Sequence, residues 1–172
     1  MSDNAKKRIF HIAKHLLVLW LIFLLQTMVF SRMRLFGVAP LLLPLAVVSI
    51  GIFEGAHWGG LMGLYAGILS DAAFSEHTVF FTILLTALGF LAGFLVSSVL
   101  SRGFPSYLLC SLLALILIAL FQLFGLLVFY RQAPLALLMV GFYQSLYSMF
   151  FALPLYYVGR GLKKGHAHFH TQ

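Results

Sequence analysis

Acidic side chains are almost missing from this chain. Asp3, Glu54, Asp71 and Glu76 are all four that 172 residues contain, which leaves little material for paired-carboxylate catalysis or for an oxygen-rich cation cage. Charge of either sign is scarce at 9%. Cysteine occurs once, as Cys110 inside an apolar run, so no internal disulfide forms and the residue says nothing about compartment. The H-E-x-x-H zinc helix and the G-x-S-x-G elbow are also absent. No acid and histidine cluster along the sequence beyond Glu76 and His77, which are adjacent and whose side chains therefore diverge. His57 and His77 fall near opposite membrane faces if helix 3 spans, and then cannot share a site. These absences argue against an enzyme.

What is abundant is apolar. Hydrophobic residues make up 62% of the chain and the mean hydropathy is +1.04, far outside the range of a soluble domain. The chain reads as an integral membrane protein. Charge-free runs cover 35–53, 77–101, 103–130 and 132–159, with shorter ones at 15–31 and 56–70. A spanning helix needs ~20 such residues, and counting the two short runs gives six. A membrane β-barrel would instead show segments of about ten residues alternating apolar and polar. Here the runs are uniformly apolar, so the fold class is an all-α, six-transmembrane-helix bundle with short loops.

The predicted layout is a basic N-terminus (1–12), a membrane domain (13–158) and a basic, histidine-containing tail (159–172). Its helices are expected at about 13–30, 38–53, 56–70, 78–101, 105–130 and 133–158. Lys6, Lys7, Arg8 and Lys14 ahead of a leucine-rich stretch mimic a signal peptide, but no A-x-A cleavage pattern follows, so the first helix stays. With both termini cytoplasmic, the inner ends carry Lys6, Lys7, Arg8, Lys14, Arg102, Arg160, Lys163 and Lys164. The outer ends carry Arg32, Arg34 and Arg131. Eight against three favours that orientation, and the formal charge of +7 needs no nucleic acid to explain it.

Prolines mark helix edges. Helix 2 is expected to start near Pro40 and to bend at Pro44, and Pro154 to kink the end of helix 6. Helix 1, "LLVLWLIFLLQTMVF", is bulky throughout and suits a lipid-facing or loosely packed position. Gln26, Gln122 and Gln144 lie within spans and read as hydrogen-bonding links between helices, with substrate contact as the other use. Tyr143, Tyr147, Tyr156 and Tyr157 read as packing and interface anchors. His166, His168 and His170 alternate in an exposed tail that is expected to be disordered and to hold no defined metal site.

The segment "GIFEGAHWGGLMGLYAGILSD" spaces Gly51, Gly55, Gly59, Gly63 and Gly67 four apart and ends at Asp71. Each four-residue step drifts about 40° around a helix, so one continuous helix would spread the glycines over opposite faces. Dividing the segment at "EGAHW" leaves Gly59, Gly63 and Gly67 within an arc of about 80° on a short helix 3. Helix 4 offers a matching stripe of Gly89, Gly93, Ser97 and Ser101. Small residues let membrane helices approach closely, so Gly59, Gly63, Gly67, Asp71, Gly89, Gly93 and Ser97 form the expected helix-packing or partner interface. Helix 3, at about 15 residues, would span only ~22 Å and need sheltering neighbours. Asp71 ends that helix, where its own dipole offers an acid nothing, so a neighbouring donor is expected to hold it. A phosphate cradle is not expected, because Gly59 and Gly60 have no Lys or Arg beside them.

The six compact spans, "LFGVAPLLLPLAVVSI" after a first helix ending "LLQTMVF", and "GLMGLYAGILSDAAFSEHTVFF" together resemble the rod shape-determining MreD family. That family shows a glycine-spaced helix ending in an aspartate before a short polar turn, matched here by Gly63, Gly67 and Asp71. Its members often continue with a glycine-containing turn, where this chain has "AAFSEHT". The resemblance covers about residues 10–162. It implies a non-catalytic, cofactor-free subunit of the bacterial elongation machinery in the inner membrane. Such a subunit binds MreC and helps connect MreB filaments to RodA and its class B penicillin-binding partner. A second expectation is a substrate-binding S-component of an energy-coupling-factor vitamin transporter, also a six-helix protein and of related fold. Those proteins carry small docking residues on helix 1, which is bulky here.

Overall fold

The computed structural model describes residues 3–30, 32, 40–74, 80–98, 103–130 and 134–167. They form seven α-helices: α1 (Asp3–Leu24), α2 (Leu42–Glu54), α3 (Ala56–Phe74), α4 (Phe80–Ser98), α5 (Phe104–Tyr130), α6 (Pro134–Phe150) and α7 (Ala152–Ala167). A π-helical segment, Leu25–Phe30, extends α1. No strand occurs among the described residues. Among the described residues three stretches, Ile9–Val29, Phe80–Ser98 and Phe104–Gln122, are long and apolar enough to cross a membrane.

The centre of the molecule is α2. Apart from Ser49 and the terminal Glu54 its residues are apolar, and every residue from Leu42 to Phe53 is buried. A helix with no polar face has to be enclosed on every side. It is enclosed by α1, α3, α4, α5 and α7, and among the described helices the most extensive pairing is α3 with α4. On the outside the polarity rule of a soluble protein is inverted. Leu17, Trp20 and Leu21 of α1, Ile83 and Phe94 of α4, and Phe142, Leu146 and Phe150 of α6 are exposed. Apolar surface of that extent is compatible with a membrane setting.

Several element ends differ from the sequence expectation, each for a local reason. Pro40 lies before α2 rather than in it, so Pro44 is the first-turn proline and no bend is needed. Helix α1 begins at Asp3, ten residues early, through a run of Lys and Arg, which are good helix formers. Helix α3 continues through Asp71, Ala72 and Ala73 to Phe74, reaching ~28 Å instead of ~22 Å. The expected sixth helix is divided at Phe151. Pro154 has no N–H for the carbonyl of Phe150, and the chain instead makes a tight turn with Phe151 N donating to Ser148 O at 3.0 Å. Beyond it α7 runs to Ala167, so the expected disordered tail is helical up to that residue. His168 and His170 lie outside the described residues.

Candidate functional site

Gly55 is the joint between α2 and α3. Its φ of 101° with ψ of 172° is a conformation essentially reserved for glycine. One residue therefore turns the chain, and the glycine ladder becomes two helices. Across that turn the remaining glycines face inward, toward α4. A Cβ on Gly59 would collide with the carbonyl of Gly89 and come within 2.6 Å of Gly51 Cα. A Cβ on Gly63 would strike the carbonyl of Leu85, and one on Gly67 the Cα of Thr82. From the opposite side, Gly89 meets Gly59 and Val47, and Gly93 meets Ala56 at the start of α3. Three backbones thus touch along one seam, with Gly51 and Val47 contributed by α2. Close backbone contact supplies the dispersion that holds helices together where burial from water offers no drive.

Ser97 does not join this seam. It is exposed, and its hydroxyl bonds to the Phe94 carbonyl at 2.8 Å. The reason is length: α3 starts at Ala56, level with Gly93, so there is no facing backbone one turn further along. Ser101 lies outside the described residues.

Asp71 closes the seam at its other end. Its Oδ1 accepts from Phe81 N at 2.9 Å, and its Oδ2 accepts from Thr82 N at 2.8 Å and Thr82 Oγ1 at 2.6 Å. These are donors of the first turn of α4, which an α-helix leaves without internal partners. A carboxylate there also meets the favourable end of the α4 dipole. The acid at the end of one helix is the cap of the next.

The start of α2 is satisfied in a similar way from a distance. Gln26 Oε1 accepts from Leu42 N at 2.8 Å and Leu43 N at 3.0 Å. Ser148 Oγ accepts from Leu41 N at 2.8 Å while donating to the Gln144 carbonyl at 2.7 Å. Pro44, next in line, has no N–H to satisfy. Of the glutamines read from the sequence, Gln26 thus links two helices through their backbone. Tyr156 is buried among Phe53, Phe104 and Tyr107, whereas Tyr143 and Tyr157 are exposed.

At the Gly55 end a polar cluster forms that linear reading missed. Glu54 ends α2, and His11 and His15 of α1 converge on it: His11 Nε2 is 3.4 Å from Oε2 and His15 Nε2 is 3.8 Å from Oε1. The expectation that no acid and histidine cluster is corrected by this contact, which joins residues some forty positions apart. Trp58 covers the group, its ring 5.6 Å from that of His11. The signal in the sequence was "HIAKH", two histidines on one face of a helix at a spacing of four. His57, by contrast, is exposed and contacts Phe90, while Glu76 and His77 lie outside the described residues. The three ligand-type side chains His11, His15 and Glu54 hold their nearest donor atoms within 4.8 Å of one another. No family model, no curated protein and no solved structure matches this chain.

Proposed function

We propose that the chain is a non-catalytic membrane scaffold of the bacterial cell-elongation complex, in the role that its resemblance to the MreD family implies. In this reading it sits in the inner membrane with six spans and both termini cytoplasmic, α6 and α7 together making the sixth. It binds MreC and helps couple MreB filaments to peptidoglycan synthesis by RodA and a class B penicillin-binding protein, and so acts on cell shape.

The observation that carries the reading is how the interior polar groups are spent. Asp71, Gln26 and Ser148, which a transporter would turn toward a substrate, are bonded to the backbone starts of α4 and α2. Apolar side chains cover the outside of α1, α4 and α6, the surface that other membrane helices would meet.

The test is affinity purification in mild detergent with mass spectrometry of both proteins and small molecules, alongside depletion in cells. Recovery of MreC in stable association and loss of rod shape on depletion are the expected results. A stoichiometric vitamin released on denaturation, with no MreC, would overturn the scaffold in favour of the S-component.

A further inference from the structure

We propose that His11, His15 and Glu54 form a binding site for one divalent transition-metal ion of the zinc type. His15 Nδ1 lies 2.9 Å from the carbonyl oxygen of His11, and a carbonyl can only accept, so Nδ1 carries the proton. In the neutral ring Nε2 then presents a lone pair. That lone pair faces Glu54 Oε1 at 3.8 Å, beyond hydrogen-bond reach. Both atoms are fully enclosed and neither has a hydrogen-bond partner, although His15 is 0% exposed. Two buried acceptors pointed at each other are unfavourable unless positive charge sits between them, either a second proton on the ring or a metal ion, and at 3.8 Å a single proton does not bridge the two atoms by a hydrogen bond.

The geometry suits a metal. Ligand atoms ~2.0–2.1 Å from a tetrahedral zinc ion stand ~3.3–3.4 Å apart. His11 Nε2 and Glu54 Oε2 are already at 3.4 Å. The whole set lies within 4.8 Å, so side-chain rotations of about 1 Å complete the contraction. Two histidines and one glutamate are a recurrent zinc set that leaves one position open. The His15 Nδ1 bond to a backbone carbonyl is the outer-shell contact that ordinarily orients a metal-binding imidazole. The occupied site would tie the beginning of α1 to the α2–α3 joint, beside Gly55.

Any imidazole can bind added metal ions without a defined site, so the test uses the full chain with the tail residues His166, His168 and His170 replaced by Asn. Co²⁺ is the probe, because a four-coordinate ion gives an intense visible spectrum, and Trp58 reports through fluorescence quenching once Trp20 is replaced by Phe. The expected result is one Co²⁺ per chain, displaced by Zn²⁺, with quenching of Trp58 and a rise in thermal stability. Glu54→Gln keeps the side-chain shape and His11→Ala removes a partly accessible ring. Each should weaken binding ~100-fold or more while far-UV circular dichroism stays unchanged. Absence of a stoichiometric Co²⁺ spectrum in the parent chain would overturn the proposal. So would equal affinity in the parent and both variants, since the ion would then lie elsewhere.

Discussion

At the scale of single residues, two kinds of cost separate cleanly. Gly55 has a backbone that disfavours any side chain but open space around it, since an added Cβ meets nothing within 4 Å. Gly55→Ala and Gly55→Leu should therefore lose similar stability, ~1–3 kcal/mol, from backbone strain alone. Reversible unfolding in mixed micelles, followed by circular dichroism, measures it; a loss that grew with side-chain size would contradict the strain account. The caps behave differently. Asp71→Asn keeps one oxygen for the α4 start and should cost less than Asp71→Ala, for which ~1–3 kcal/mol is expected. Gln26→Leu leaves the N–H groups of Leu42 and Leu43 buried without their acceptor, at ~1–3 kcal/mol for each. The same unfolding measurement ranks all of these variants.

At the scale of elements, α3 and α4 are defined by what lies between them. Gly60 and Gly63 are one turn apart on one helix, yet a Cβ at Gly60 would make ordinary contact with Phe90 at 3.6 Å, while one at Gly63 would enter the Leu85 carbonyl. Gly60→Ala should be neutral or stabilising by up to ~1 kcal/mol through helix propensity. Gly63→Ala should destabilise, and Gly63→Leu with Gly67→Leu should prevent folding or partner assembly. Wild-type stability and assembly in that double variant would remove the packing role of the seam. The spacing of four made this stripe visible in the sequence. Its extent was not visible, because Ser97 continues the same spacing and drops out only where α3 ends. The break at Phe151 was partly legible: Pro154 announced a disruption, but its placement one turn earlier depends on which carbonyl loses its donor.

For the whole molecule, the composition and the exposed apolar side chains of α1, α4 and α6 are both compatible with lipid as the solvent. The proposed orientation makes a direct prediction. Green fluorescent protein fused after residue 172 should fluoresce, whereas alkaline phosphatase fused there should be inactive. Alkaline phosphatase fused after Arg131 should be active, because that loop is placed outside. The reverse pattern would invert the topology and move the His11–His15–Glu54 cluster to the outer face.

The sequence by itself determined the all-helical content and the division of the glycine ladder, and it set the expectation of a membrane setting. Each follows from local quantities: run length, periodicity and the angular drift of a helix. Tertiary structure alone decided the partners of the polar residues. Asp71 meets α4, Gln26 meets α2, and Glu54 meets His11 and His15 because antiparallel helices bring their ends level, and no local rule encodes which ends align. A buried polar group must find a partner wherever the fold supplies one, and for Asp71 and Gln26 that partner lies on another helix.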